Sequence, residues 1–145
     1  MILPFSNEYS GSVRSLVLGV LEEEGFTYDP LKDSDLEDIE ANYLGKDGAF
    51  FIALENGVLG GTAAVRRTGP DTCEIRRIYV RRGMRGRGIG GALFGAALSY
   101  AEAIYTRAVL KTDISLHVAI GMYLRHGFKV VKEKNGTLYL EKRFS

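Results

Sequence analysis

Glu74-Ile75-Arg76-Arg77-Ile78-Tyr79-Val80-Arg81-Arg82-Gly83-Met84-Arg85-Gly86-Arg87-Gly88-Ile89-Gly90-Gly91-Ala92-Leu93 reads as a strand, a basic glycine-rich turn and the start of a helix. Strict alternation puts Ile75, Arg77 and Tyr79 on one face of the strand and Arg76, Ile78 and Val80 on the other, with β-branched Val80 closing the run. From Arg85 to Gly91 every position except Ile89 is glycine or arginine. The helix predicted from Ala92 to Tyr105 is rich in Ala and Leu. Glycines at a helix start let backbone N–H groups come close to a bound group. The unpaired N–H groups there, and the positive end of the helix dipole, favour an anion. Arginines around the turn add charge-assisted bonds to phosphate. The stretch therefore predicts a diphosphate-binding turn.

The rest of the chain is ordinary for a globular protein. Its 145 residues suffice for one domain, 1–145, with a real core. The hydrophobic fraction of 46% and charged fraction of 26% suit a soluble chain. A formal net charge of +1 argues against a general nucleic-acid surface. The basic charge is local instead: Arg76, Arg77, Arg81, Arg82, Arg85 and Arg87 cluster around the turn. Cys73 is the lone cysteine, which rules out an internal disulfide, and with His117 and His126 it makes no metal-ligand set. Glu8 and Arg14 stand where a secretory leader would need an apolar run, and runs such as Leu16 to Leu21 are too short to span a bilayer. The expected compartment is the cytoplasm, with no membrane and no nucleic acid as partner.

Outward from the turn, the elements follow from spacing. Met1 to Phe5 reads as a first strand. Val13, Leu16, Val17, Val20 and Leu21 form an apolar stripe on a helix from Glu8 to Glu24, stopped by Gly25. A loop around Phe26 to Leu31 follows. Asp33-Ser34-Asp35 is expected to cap a second helix through Leu36, Ile39 and Tyr43 to Gly45. Ala49 to Glu55 and Val58 to Arg67 flank Asn56-Gly57, the strongest short hairpin signal, and Thr72 to Arg81 is the next antiparallel strand. After the helix, Ala108 to Thr112 reads as a buried strand, parallel to Thr72–Arg81 by a right-handed crossover. A helix from Leu116 to His126 ends at Gly127, and Phe128 to Lys132 and Thr137 to Lys142 pair around Asn135-Gly136. The pattern predicts an α/β (α+β) fold with a mixed, mostly antiparallel sheet of about six to seven strands flanked by about four helices.

Two motifs fit the turn. Gly86-x-Gly88-x-x-Gly91 satisfies the dinucleotide fingerprint, with Asp113 about 20 residues further on. Arg85-x-x-Gly88-x-Gly90 resembles the acyl-CoA pyrophosphate signature of the GCN5-related N-acetyltransferase (GNAT) superfamily. A dinucleotide fold normally opens on its motif strand, whereas three antiparallel strands lead up to this turn. The chain also carries Ala119, Tyr123, Gly127 and Phe128 in the spacing of the GNAT terminal motif Ala-x-x-x-Tyr-x-x-x-Gly-Phe. Both motifs and the element order together resemble the GNAT acyl-CoA N-acyltransferase fold over essentially the whole chain.

The resemblance implies an enzyme that uses acetyl-CoA as cosubstrate. It implies that Arg85, Gly86, Arg87, Gly88, Ile89, Gly90 and Gly91 hold the pyrophosphate through their backbone, with the arginine side chains as secondary aids. The pantetheine arm would pair with Ile78, Tyr79 and Val80. The backbone N–H of Ile78, at a bulge in the motif strand, would meet the acetyl carbonyl. Tyr123 matches the family's acid for the departing thiolate. Glu74, four residues before Ile78, sits where the histone-modifying branch places its general base, and even spacing puts Glu74, Arg76 and Ile78 on one face. Leu116 departs from the pattern, because many members carry an Asn there that contacts the cofactor; His117 beside it reads as an exposed helix residue. Cys73 has no indicated His partner, so direct attack by a primary amine in a ternary complex is expected rather than a covalent enzyme intermediate. The expected partner is a small-molecule or peptide amine acceptor, and the family also admits a homodimer. The other function compatible with the motifs is a non-catalytic acyl-CoA-binding sensor or interaction module.

Overall fold

The computed structural model describes residues 1–144. Seven strands make one sheet: β1 (Ile2–Pro4), β2 (Ala49–Glu55), β3 (Val58–Arg67), β4 (Thr72–Val80), β5 (Arg107–Asp113), β6 (Lys129–Lys134) and β7 (Thr137–Arg143). Four α-helices accompany them: α1 (Ser10–Glu23), α2 (Ile39–Asn42), α3 (Ile89–Ile104) and α4 (His117–Arg125). The strand order is β1-β2-β3-β4-β5-β7-β6. Only β4 and β5 run parallel, joined through α3; every other neighbouring pair is antiparallel. The mixed, mostly antiparallel α+β sheet is the one the sequence predicts.

Each face of the sheet buries its own core. On one side Leu93, Phe94, Ala97 and Ala101 of α3 are fully buried against Ala63, Val65, Cys73 and Ile75. Small residues in β3 bring α3 this close. A Cβ on Gly61 would stand 2.7 Å from Leu93 Cδ1, and one on Gly60 2.8 Å from Met84 Cε. On the other side Val13, Leu16, Val17 and Val20 of α1 pack with Tyr43, Phe50 and Ile52. Phe50 meets Phe5 and Tyr43 edge to face at 5.6 and 5.3 Å between ring centroids.

The second helix is shorter than its spacing predicts. It breaks into a 3-10 turn (Ser34–Glu37), α2, and a second 3-10 turn (Leu44–Lys46). Asp38 is the reason: its Oδ1 accepts the N–H of Ala41 at 3.0 Å, so it caps α2 instead of continuing a helix through itself. Asp33, the expected cap, is drawn elsewhere. Its Oδ2 accepts the N–H of Asp29 at 2.8 Å, and its Oδ1 takes Arg77.

Two features of β4 create the space for a ligand. First, β4 and β5 pair only at Thr72↔Arg107, Cys73↔Ala108 and Glu74↔Val109, and the strands then splay apart. Second, β4 carries a bulge. Ala64 pairs with Arg76 but Thr62 pairs with Tyr79, so Arg77 and Ile78 share the place opposite Ala63. Arg77 adopts φ +55°, and its carbonyl accepts the buried Thr62 hydroxyl at 2.7 Å. The extra residue reverses the alternation. Cys73 and Ile75 face α3 before the bulge, whereas Ile78 and Val80 face it afterwards and Tyr79 turns to the opposite core. The strict alternation expected from the sequence therefore fails at Arg77, and Glu74 and Arg76 do not share a face with Ile78.

Candidate active site

The turn before α3 is a concave set of backbone amides. Gly86 (φ +81°) and Gly88 (φ +80°) are left-handed, a conformation that costs other residues about 1–2 kcal/mol. The first helical bond is Ala92 N–H to the Gly88 carbonyl at 3.0 Å. Among the described residues, the N–H groups from Arg85 to Gly91 meet no backbone or side-chain acceptor. A Cβ built on Gly86, Gly88 or Gly91 would meet nothing within 4 Å, and one on Gly90 would touch Val80 Cγ2 at 3.4 Å. The arginine side chains are drawn away from these amides. Arg85 donates from Nε to the Val80 carbonyl at 3.0 Å and from its guanidinium to Glu23, also at 3.0 Å. Arg87 reaches Glu55 at 3.5 Å, and Arg81 bonds the Leu59 carbonyl at 2.9 Å.

A cleft of roughly 1930 Å³ runs from these amides, along the splay, to the loop after α1 and the end of β7. That exceeds the roughly 300–1,000 Å³ of an ordinary ligand pocket and leaves room for two substrates. Of the residues expected to hold the cofactor or act in catalysis it brings together all but Arg87: Glu74, Ile78, Tyr79, Val80, Arg85, Gly86, Gly88, Ile89, Gly90, Gly91 and Tyr123 line it. Leu116 and His117 line it too. Beyond Glu74, the edge of β4 that faces β5 has no strand partner, so Ile78, Tyr79 and Val80 present backbone to the cleft.

Tyr123 projects from α4 into this space. Its ring packs against Phe94 and Phe128 at 5.2 and 6.5 Å between centroids, and the residue is 6% exposed. Its hydroxyl has no hydrogen-bond partner among the described residues and is not a sealed-in polar atom. Burial, and then the neighbouring Tyr79 hydroxyl, push its pKa up to about 12. Cys73 is fully buried under α3, and burial pushes its thiol up to about 12 as well.

Glu74 is 8% exposed, and its Oε1 accepts from Arg66 at 2.6 Å. Arg77 is the residue that sequence reasoning misplaced. Counted in the basic cluster around the turn and expected on the face of Ile75, it turns instead to the α1 side and is 7% exposed. It bonds Asp33 at 2.9 Å, Asp35 at 2.6 and 3.0 Å, the Lys32 carbonyl at 3.2 Å and the Tyr79 hydroxyl at 3.3 Å. Tyr43 donates its hydroxyl to the same Asp35. Burial alone would raise the Asp35 pKa, but the bonds from Arg77 and Tyr43 overcome it and hold the carboxyl below its usual range. The cluster ties the loop after α1 to the bulge. Its only trace in the sequence is an Asp-x-Asp pair 42 residues upstream of an arginine set in the middle of a strand.

A family model for the acetyltransferase (GNAT) family matches residues 18–128, from within α1 through the turn and α4. The chain belongs to the GNAT acetyltransferase family. An uncharacterized N-acetyltransferase of Schizosaccharomyces pombe is 33% identical over 103 residues, a match spanning 69% of this chain and 63% of that relative. A GNAT-family acetyltransferase from Staphylococcus aureus Mu50 superposes with a TM-score of 0.89 at 21% identity, over 100% of this chain and 99% of its own. The yncA protein of Salmonella typhimurium, solved with its cofactor acetyl-CoA, gives a TM-score of 0.80 at 20% identity, over 100% of this chain and 94% of its own. These structures share the GNAT fold with the present chain. Among the described residues, no helix is long and apolar enough to cross a membrane.

Proposed function

We propose that this GNAT protein transfers the acetyl group of acetyl-CoA to a primary amine by direct attack in a ternary complex. One observation carries the reading: the unpaired edge of β4 opens directly onto a row of unbonded amides at the start of α3. A diphosphate fits the amides from Arg85 to Gly91, and a thin extended arm fits the edge at Ile78, Tyr79 and Val80. Acetyl-CoA supplies an activated thioester; the chain's residues position it. The Ile78 N–H, at the bulge, donates to the carbonyl oxygen as negative charge builds on it. Tyr123 donates a hydrogen bond to the leaving sulfur. Its pKa of about 12 lies well above a thiol's usual ~8.5, so it keeps its proton and stabilises the thiolate without ionising. The amine's proton leaves toward Glu74, whose Oε1 is held by Arg66 and whose other oxygen accepts no bond among the described residues. Burial of Cys73, with its raised pKa, speaks against an acetylated enzyme intermediate.

The test is release of free thiol from acetyl-CoA in the presence of an amine panel, together with calorimetry of acetyl-CoA alone. Binding followed by amine-dependent release is expected. Binding with no amine acetylated would mark an acyl-CoA sensor, and no binding at all would remove the reading.

A further inference from the structure

Arg76 stands beside Arg77 in β4 but is placed quite differently. Its side chain is 21% exposed and lines the cleft. Its guanidinium lies 3.8 Å from Asp35 and 3.9 Å from Glu74, too far for hydrogen bonds. Both carboxylates are already used at short range, Asp35 by Arg77 and Tyr43 and Glu74 by Arg66. Among the described residues Arg76 makes no side-chain hydrogen bond, so a half-buried guanidinium that lines the cleft keeps its donor fork unbonded. A half-buried cation is poorly solvated, and such a fork fits a carboxylate bidentately.

The opposite wall carries a second cation. In β5 Ala108 and Leu110 point into the α3-side core. Alternation therefore turns Lys111 to the other face, the one that holds Glu74 and Arg76. Lys111 lines the cleft, is exposed, and enters no ion pair or hydrogen bond among the described residues. Of the acids in and around the cleft, Asp33 and Asp35 are bonded to Arg77 and Asp113 to Ser115, while Glu24 stands near Asp113 without an ion pair among the described residues. Two cations thus stand on either side of the splay, on the side of the sheet away from the amides before α3: Lys111 without an ion pair, and Arg76 in two long ion pairs that leave its hydrogen-bond donors unused.

We propose that the acceptor is an amine that also bears a carboxylate, held by Arg76 from β4 and by Lys111 from β5. The inference rests on the acetyl-transfer reading above and names its acceptor class. The amine is then presented beside Glu74, whose Oε1 lies 3.9 Å from the Arg76 guanidinium.

The experiment compares matched pairs that differ only in the carboxylate: tyrosine and tyramine, histidine and histamine, lysine and cadaverine, and a dipeptide with its C-terminal amide. Phosphoethanolamine tests a different anion. Each is titrated by calorimetry into CoA-loaded protein and assayed with acetyl-CoA. The carboxylated member of at least one pair should bind and react better by roughly tenfold or more. Arg76→Gln or Lys111→Gln should erase that difference through KM while the acetyl-CoA Kd stays put, and Arg76→Lys should restore part of it. Equal use of every pair, preference for phosphoethanolamine, or a full preference surviving in both Gln variants would overturn the inference. Carboxylate-dependent binding without turnover would support the acceptor site and sink the acetyl-transfer reading. Turnover of decarboxylated amines alone would do the reverse.

Discussion

The two sides of β4 are furnished by different means. Toward α3 the groups on offer are backbone: amides from Arg85 to Gly91 and the open strand edge, with the arginines of the turn occupied by Val80, Glu23 and Glu55. Toward α1 they are side chains gathered from distant parts of the chain, namely Asp33, Asp35, Arg66, Glu74, Arg76, Arg77 and Lys111. A backbone site needs particular φ angles and small residues in sequence order, so it leaves a motif. A side-chain site needs only that the fold bring charges together, and neighbours as alike as Arg76 and Arg77 take opposite roles within it.

The largest effect is expected on the backbone side. Gly88→Trp places an indole in the amide hollow at φ +80° and should take acetyl-CoA binding below detection by calorimetry; retained affinity would break the distinction at its strongest point. On the side-chain side, Arg77→Met strands Asp33 and Asp35 and should cost about 3–5 kcal/mol in urea unfolding. The sign of its pH dependence follows from Asp35. A carboxyl held below its ordinary pKa contributes stability above about pH 4 and loses it as pH falls through the folded value. The gap between wild type and Arg77→Met should therefore narrow in acid, and a gap that widened there would refute the assignment. Tyr123→Phe should lower kcat by roughly ten- to a hundredfold with acetyl-CoA affinity nearly unchanged. The wild-type kcat profile should show no falling limb near pH 10, because the raised pKa keeps the phenol protonated until about 12. The smallest effect is expected from Arg85→Ala. Its guanidinium is 47% exposed and paired with Glu23, so acetyl-CoA affinity should shift by no more than about 1 kcal/mol. A larger loss would move the arginine side chains into the cofactor site.

The same contrast governs what could be read in the chain beforehand. Asn56-Gly57 and Asn135-Gly136 each adopt two consecutive positive φ angles, so hairpins written in local chemistry were fully legible. The turn before α3 and the helix that carries Tyr123 were legible for a similar reason, since their glycine and Ala-x-x-x-Tyr spacings are local. The second helix was not, because Asp38 had two uses for its carboxylate and only tertiary packing selects between them. The bulge was invisible to alternation. Nothing local distinguishes Arg77 from Arg76; its left-handed φ is held by carboxylates 42 and 44 residues away. The family resemblance supplied a bulge near Ile78, but not the buried ion cluster that anchors it.

The splay has a consequence for how the molecule behaves when empty. A row of unsatisfied strand groups is normally a hazard, a template on which a foreign chain can zip up and seed aggregates. Here the row begins where β4 and β5 part after Glu74 and Val109, in the interior of the sheet and not at its outer margin. With β5 standing beside it, this edge cannot be extended by a second sheet stacked edge to edge, and what completes it must enter lengthwise between two strands of the same sheet.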